Sequence, residues 1–135
     1  MPGGSFFDSN ILIYLAGEDE RKADRAEQVM AQTGTVSVQV LNEFANVARS
    51  RLRWDWHDIR QFLDDLLVPL EVLPLTRATH ELGLRLAGRH RLHVYDAMIL
   101  AAALEAGCDV LYSEDMHDGA LIGRKLRIVN PFLDL

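Results

Sequence analysis

The chain has 135 residues, enough for one domain with a sizeable core, and its 49% hydrophobic and 25% charged residues are typical of a globular protein. The net charge of −6 argues against a protein that coats nucleic acid with a broad basic surface. It does not exclude a nuclease, because carboxylates that bind divalent cations also count as negative. The longest apolar run, residues 97–104, is too short to cross a membrane.

Short apolar strands alternate with helical patterns along the chain. In chain order, the first half predicts a strand at residues 6–7, helices at 11–16 and from 18 to 34, a strand at 36–38, and a helix at 39–51. The second half predicts a helix between Asp55 and Pro69, a strand at 72–75, a helix from Thr76, an apolar helix at 95–106, and strands at 110–112 and 128–129. Ser9 and Asn10 are predicted to cap the first helix.

This alternation predicts one α/β domain over residues 1–135, with a mostly parallel sheet of about five strands flanked by helices. Cys108, the only cysteine, cannot form a disulfide within the chain. We expect it to be a buried, unreactive thiol in a protein of the reducing cytoplasm. Parallel sheets bind ligands outside the carboxyl ends of their strands, so the polar residues that follow each strand are the candidates for function.

Four acids occupy positions of this kind. Asp8 follows the first strand, Glu43 lies in the helix after the second, Asp96 opens the apolar helix, and Asp115 follows the fourth strand. Glu43 and Asp96 share helix faces with apolar residues, where a carboxylate is costly unless it is paired, protonated or bound to metal. Several carboxylates at one edge suit Mg²⁺ or Mn²⁺, hard ions that prefer oxygen ligands.

Three of the four acids also have a purely structural interpretation. Asp8 can cap a helix, Asp96 is favourable in a first helical turn, and Asp115 can lie in a solvated turn. None of these interpretations predicts that the acids converge. Convergence is therefore the hypothesis that the structure must test.

Four segments resemble, in order and spacing, the motifs of the PIN-domain family, and within it those of VapC-type toxins from toxin–antitoxin pairs. They are FFDSNILIYL, SVQVLNEFANV, VYDAMILAAALEAG and LYSEDMHDG, which start at residues 6, 37, 94 and 111. The resemblance covers nearly the whole chain. It implies a metal-dependent endoribonuclease, a phosphodiester hydrolase that uses Mg²⁺, with Mn²⁺ as a plausible substitute.

The resemblance also assigns roles by position. Asp8 and Asp96 match the principal metal-binding aspartates, Glu43 matches the motif's glutamate, and Asp115 matches its final acid. Asp118 competes with Asp115 for that last role, and supporting polar positions are matched by Asn10 and Ser113. One departure is His93, where similar proteins often carry Ser.

The partners that the resemblance implies are an RNA substrate, a small cognate antitoxin that lies across the toxin and blocks its site, and a second copy of the chain in a homodimer. No membrane contact is expected. Two segments are candidate contact surfaces. The first comprises Arg49, Arg51, Leu52, Arg53, Trp54 and Trp56, with Arg49 and Arg53 expected on one helix face, and the second comprises Arg89, His90, Arg91 and His93. The alternative is that both are solvated surface, with the Trp rings packed at a core edge.

Two other functions remain open on the sequence. A phosphotransfer module also uses Asp at strand ends, but the phosphatase type needs a second Asp where this chain has Asn10, and a receiver needs a Lys after a late strand. The only late lysine, Lys125, lies well past the fourth strand. A non-catalytic module is the other alternative, with an acidic pocket that binds a metal or a basic partner peptide.

Overall fold

Six short strands form one sheet in the computed structural model, which describes residues 3–135. Met1 and Pro2, included in the predicted domain, lie outside the described residues. The strands are β1 (Ser5–Phe7), β2 (Thr35–Ser37), β3 (Glu71–Leu73), β4 (Val110–Tyr112), β5 (Leu121–Ile122) and β6 (Leu126–Val129). The helices are α1 (Ser9–Ala16), α2 (Glu20–Met30), α3 (Val38–Ser50), α4 (Trp56–Leu67), α5 (Arg77–His90) and α6 (Val94–Glu105).

The strand order is β3-β2-β1-β4-β6-β5, and every neighbouring pair is parallel except β5 with β6. The predicted α/β domain with a mostly parallel sheet is confirmed. The chain builds outward from β1 to β2 and β3, then returns to place β4 on the other side of β1. Such a reversal of strand order opens a crevice at the carboxyl ends of the two central strands.

Several predicted boundaries were wrong for local reasons. The Ser37 side chain accepts a hydrogen bond from the Val40 N–H at 3.4 Å, so the chain turns helical at Val38 instead of continuing the strand. Asp8, not Ser9 or Asn10, caps α1. The two-residue strand β5 was missed because it is too short to show alternation.

The core centres on β1 and α6. Phe6 and Phe7 are fully buried, and the α6 segment from Ala97 to Ala103 is buried on all its faces. That burial explains why α6 carries no polar stripe, since each large apolar side chain contributes about 1.5–3 kcal/mol when removed from water. Cys108 is buried as predicted, and burial raises the pKa of its thiol. No helix within residues 3–135 has both the length and the hydropathy to cross a bilayer.

Helices α5 and α6 form an antiparallel pair joined by a short loop. Thr79, near the start of α5, donates a hydrogen bond to Glu105 at the end of α6, with 2.5 Å between the oxygens. Midway along the pair, Gly83 lies so close to Met98 that a Cβ at Gly83 would meet its sulfur at 2.6 Å. The end of α5 therefore lies beside the first turn of α6.

The approach of Gly34 to β1 gives a stability test. A Cβ at Gly34 would overlap the buried Phe7 ring and lie 3.0 Å from the Ser5 carbonyl oxygen, whereas a Cβ at Gly88 of α5 would meet open space. We expect Gly34→Ala to lower the free energy of unfolding by about 1–3 kcal/mol through overpacking. Gly88→Ala should raise it by about 0.5–1 kcal/mol through helix propensity. Urea unfolding measures both; a stabilised Gly34→Ala variant would contradict the packing at β1.

Candidate active site

Asp8 stands directly after β1 with both carboxylate oxygens held. Its Oδ1 accepts a hydrogen bond from the Ser9 N–H at 2.6 Å, which caps α1, and its Oδ2 accepts from the Ser113 hydroxyl at 2.6 Å. The residue is 1% exposed. Asp8 is therefore both the helix cap and a fixed carboxylate at the strand end.

Glu43 reaches the same place from α3. The Ser9 hydroxyl lies 3.0 Å from Glu43 Oε1 and 3.3 Å from Asp8 Oδ1, so it links the two acids. Gln39, one turn earlier on α3, donates to Glu43 Oε2 at 2.9 Å. From the sequence, Ser9 was expected only to cap α1, and Gln39 was not identified as a site residue. The signal for Gln39 was its i, i+4 spacing to Glu43 on one helix face.

Asn10 and Ser113 are the positions predicted to support the site. They join the β4 loop, residues 113–120, to the junction of β1 and α1. Asn10 Nδ2 lies 3.2 Å from Asp115 Oδ2 and 3.4 Å from Asp8 Oδ2, while its Oδ1 accepts from the Glu114 N–H at 3.1 Å. The Ser113 hydroxyl accepts from the Asp115 N–H at 3.2 Å. Residues about 105 positions apart in sequence thus share one hydrogen-bond network.

Asp96 lies half-buried in the first turn of α6. Burial raises the pKa of its carboxyl, and the nearby charges of Asp115 and Glu43 raise it further, while His93 acts in the opposite direction. His93 caps α6 by accepting a hydrogen bond from the Tyr95 N–H at 3.3 Å through Nδ1. His93, which stands where similar proteins often carry Ser, therefore still caps the helix.

Asp118 lies apart from the other acids. It is exposed, and its Oδ1 accepts from the Asn130 N–H at 2.7 Å. In the described part of the chain it has no hydrogen bond to Asp8 or to the residues around it. Asp115 is the member of this loop that meets the other acids, through Asn10.

The electrostatics of the group are those of crowded carboxylates. Burial raises the pKa of Asp8 to about 7, the charges of Glu43 and Asp96 add to the increase, and the hydrogen bonds from Ser113 and Ser9 oppose it. A buried carboxyl with like charges near it favours either a bound proton or a bound cation.

The donor chemistry fits a hard divalent cation, although the acids do not form a closed cage. Across residues 3–135, no three His, Cys, Asp or Glu side chains lie close enough together to hold a metal ion as a set. Mg²⁺ does not require such a cage, because it keeps several waters and is commonly held by one or two carboxylates plus a substrate phosphate. The oxygen-only donors at this edge suit such a hydrated ion and do not suit zinc.

A second network holds the β4 loop from its other side. The Tyr14 hydroxyl donates to Glu114 Oε1 at 2.5 Å, and the Lys22 ammonium lies 3.0 Å from Tyr14 Oη and 3.4 Å from Glu114 Oε2. Sequence reasoning missed this network, because nothing in the spacing of the three residues shows that they meet. The loop that carries Asp115 is thereby anchored on both flanks.

The first candidate contact surface differs from its prediction. Arg49 and Arg53 do not share a helix face, because α3 ends at Ser50 and Arg53 has a left-handed backbone with φ of 60°. Trp54 packs at a core edge, as the alternative expected. Trp56 is 59% exposed, with the Arg49 guanidinium 5.3 Å from its ring centroid.

Comparisons with known proteins agree on one fold. The PIN domain family model matches residues 5–117. A toxin–antitoxin complex from Klebsiella pneumoniae is 23% identical with a TM-score of 0.71, covering 95% of this chain and 98% of the other. VapC20 of Mycobacterium tuberculosis, a sarcin–ricin loop cleaving toxin, is 19% identical with a TM-score of 0.69, covering 82% and 89%. VapBC2 of Rickettsia felis, bound to a promoter DNA fragment, is 17% identical with a TM-score of 0.63, covering 93% and 98%. Curated protein sequences contain no match to the chain.

The buried Asp8 carboxyl predicts a pH dependence of stability in the metal-free protein. Its pKa is about 7 in the folded state against an ordinary 3.8, so between these values the folded state holds a proton that the unfolded state has released. The free energy of unfolding should therefore fall, by an amount on the order of a few kcal/mol, as the pH rises from about 4 to about 7.

The measurement is urea unfolding with a chelator present at a series of pH values. Asp8→Asn should flatten the decrease, whereas Asp118→Asn should keep the wild-type slope. A slope that is the same in wild type and Asp8→Asn would contradict the burial of a titrating Asp8.

Proposed function

The chain belongs to the PIN domain family, and on that premise we propose that it is a metal-dependent endoribonuclease that acts as the toxin of a toxin–antitoxin pair. The observation that carries the proposal is the meeting of acids from β1, α3, α6 and the β4 loop at one edge of the sheet. The likeness to VapC20, a toxin that cleaves the sarcin–ricin loop, supports RNA as the substrate.

The cofactor in this proposal is Mg²⁺, with Mn²⁺ as a substitute. Asp8, Glu43, Asp96 and Asp115 would hold it directly or through its waters, since all four present carboxylate oxygens at the same edge. When bound, such an ion supplies positive charge for the phosphoryl oxygens and lowers the pKa of a coordinated water.

The residues of the chain hold and orient the reacting groups. Ser113 and the Ser9 N–H fix the two oxygens of Asp8, and Gln39 and Ser9 fix those of Glu43, so neither carboxylate has to reorganise during the reaction. Water attacks the phosphodiester phosphorus and forms a new P–O bond, while the bond from phosphorus to the leaving ribose oxygen breaks and that oxygen takes a proton from solvent. A carboxylate of the group takes the proton that the water loses.

Cleavage of single-stranded RNA by the purified chain in Mg²⁺ or Mn²⁺ tests the proposal. Asp8→Asn and Asp115→Asn should each lower the rate by about 10²-fold or more, because each removes a negative charge from the acidic edge. Asp118→Asn is the matched control on the same loop and should cleave like wild type.

Circular dichroism of the variants separates lost chemistry from lost folding. Cleavage that persists in a chelator, or a fully active Asp8→Asn variant, would refute the nuclease. Stable phosphorylation of Asp8 would instead support the phosphotransfer alternative, and the absence of divalent-ion binding in calorimetry would support the non-catalytic one.

The proposed partners are a cognate antitoxin and a second copy of the chain. A groove of about 340 Å³ beside the end of α3 is a candidate antitoxin surface, and it is lined by Ala16, Gly17, Glu18, Arg51, Leu52 and Trp54. The exposed Trp56 ring lies on the same segment of chain, next in sequence after the helix cap Asp55. Aromatic and arginine side chains that are exposed together are typical anchors of protein interfaces.

Growth assays test the toxin and its antitoxin together. Expression of the chain in bacteria should arrest growth, and Asp8→Asn should not. A small protein that rescues growth is the antitoxin, and Trp56→Ala should weaken its binding by about tenfold or more if Trp56 is an anchor. RNA cleavage by Trp56→Ala without antitoxin should match wild type. Rescue and binding that are unaffected by this change would exclude Trp56 as an anchor.

A further inference from the structure

One stretch of the chain is strongly basic although the whole protein is acidic. Residues 82–95 contain no Asp or Glu, whereas the chain carries a net charge of −6. Below, the basic strip means the side chains of Arg85, Arg89, His90, Arg91, His93 and Tyr95. All six are exposed.

The arginines of the basic strip are free to meet an anion. Arg85 and Arg89 are four residues apart on α5, so they share one helix face. The salt bridges found within residues 3–135 join Lys22 to Glu114, Arg25 to Asp134 and Arg77 to Glu81, and none involves the strip. Its positive charge is therefore not neutralised by the protein's own carboxylates at contact distance.

The antiparallel packing of α5 and α6 places this charge beside the edge of the sheet where the four acids lie. The end of α5 and the loop at residues 91–93 lead directly into the first turn of α6, where Asp96 lies. His93 caps α6 and stands three residues before Asp96, so the end of the strip adjoins the proposed site.

The strip ends in a pair of exposed rings. The His93 and Tyr95 ring centroids are 5.3 Å apart with an interplanar angle of 43°, and Tyr95 is 56% exposed. Tyr95 immediately precedes Asp96 in the chain. An exposed aromatic face beside uncompensated arginines matches the chemistry of single-stranded nucleic acid, in which bases stack on rings and phosphates pair with cations.

We propose that the basic strip is the surface that binds single-stranded RNA, with Arg85 and Arg89 on backbone phosphates and the His93–Tyr95 pair stacking a base beside the cleaved bond. This inference rests on the proposed ribonuclease function and adds the contacts that position its substrate. RNA fits better than a second copy of the chain, because a two-fold contact centred on the strip would bring like charges together.

Binding measured without cleavage tests the strip. Fluorescence anisotropy of a labelled single-stranded RNA is measured with full-length Asp8→Asn protein in Mg²⁺ buffer. In that background, Tyr95→Leu should weaken binding about tenfold or more, whereas Tyr95→Phe, which keeps the ring, should stay near the parent affinity. His93→Asn keeps a helix-capping side chain and removes the ring, so it should also weaken binding.

The phosphate contacts have their own signature. Arg89→Gln should weaken binding and reduce the slope of log affinity against log salt by about 0.7. Arg60→Gln removes the same charge from the exposed face of α4 and should change neither quantity. In cleavage assays of the otherwise wild-type chain, Tyr95→Leu should raise KM with little change in kcat.

The outcomes separate this inference from the function on which it rests. Suppose that wild type cleaves RNA and that Tyr95→Leu and Arg89→Gln keep the parent affinity for RNA. This result would overturn the proposed role of the basic strip and would still support the nuclease function. RNA binding that depends on Tyr95, without any cleavage by wild type, would refute the nuclease and keep the strip. A change of oligomeric state in Tyr95→Leu with unaltered RNA affinity would show that the strip is an interface between copies of the chain, which also overturns the inference.

Discussion

The rest of the structure depends on how the buried carboxylate of Asp8 is held. The Ser9 N–H and the Ser113 hydroxyl each donate to it at 2.6 Å, so one residue caps α1 and also joins the carboxyl ends of β1 and β4. Burying a carboxyl is unfavourable, and the hydrogen bonds that Asp8 accepts offset only part of that cost. Burial therefore raises the pKa of Asp8 to about 7, far above the ordinary value for Asp.

The surrounding residues spread this constraint across the site. Ser9 links Asp8 to Glu43, Asn10 links Asp8 to Asp115, and Glu114 is held in turn by Tyr14 and Lys22. Three of the four acids, Asp8, Glu43 and Asp115, are thus joined through shared hydroxyl and amide groups.

The sequence predicted the α/β class because strand and helix periods alternate cleanly, and the structure brings the four acids to the edge where strand ends were expected to place them. It could not rank Asp115 against Asp118, because both lie in one polar loop and the contacts that distinguish them come from residues distant in the chain or in the fold, such as Asn10. Ser37 ended β2 early through a local cap that competes with strand pairing. The Tyr14–Lys22–Glu114 contacts needed three-dimensional placement that spacing does not carry, whereas Gln39 was missed although it lies one turn before Glu43 on α3.

The strands themselves are two to four residues long, so each contributes few ladder hydrogen bonds. The Asp8–Ser113 bond adds a polar link just beyond the paired ends of β1 and β4. Hydrogen bonds that join strand ends, such as Asp8–Ser113, thus also position the proposed catalytic acids. Mutations that remove the acidic edge would therefore also remove contacts between strand ends. Such mutations are expected to accumulate only after other contacts have come to stabilise the sheet.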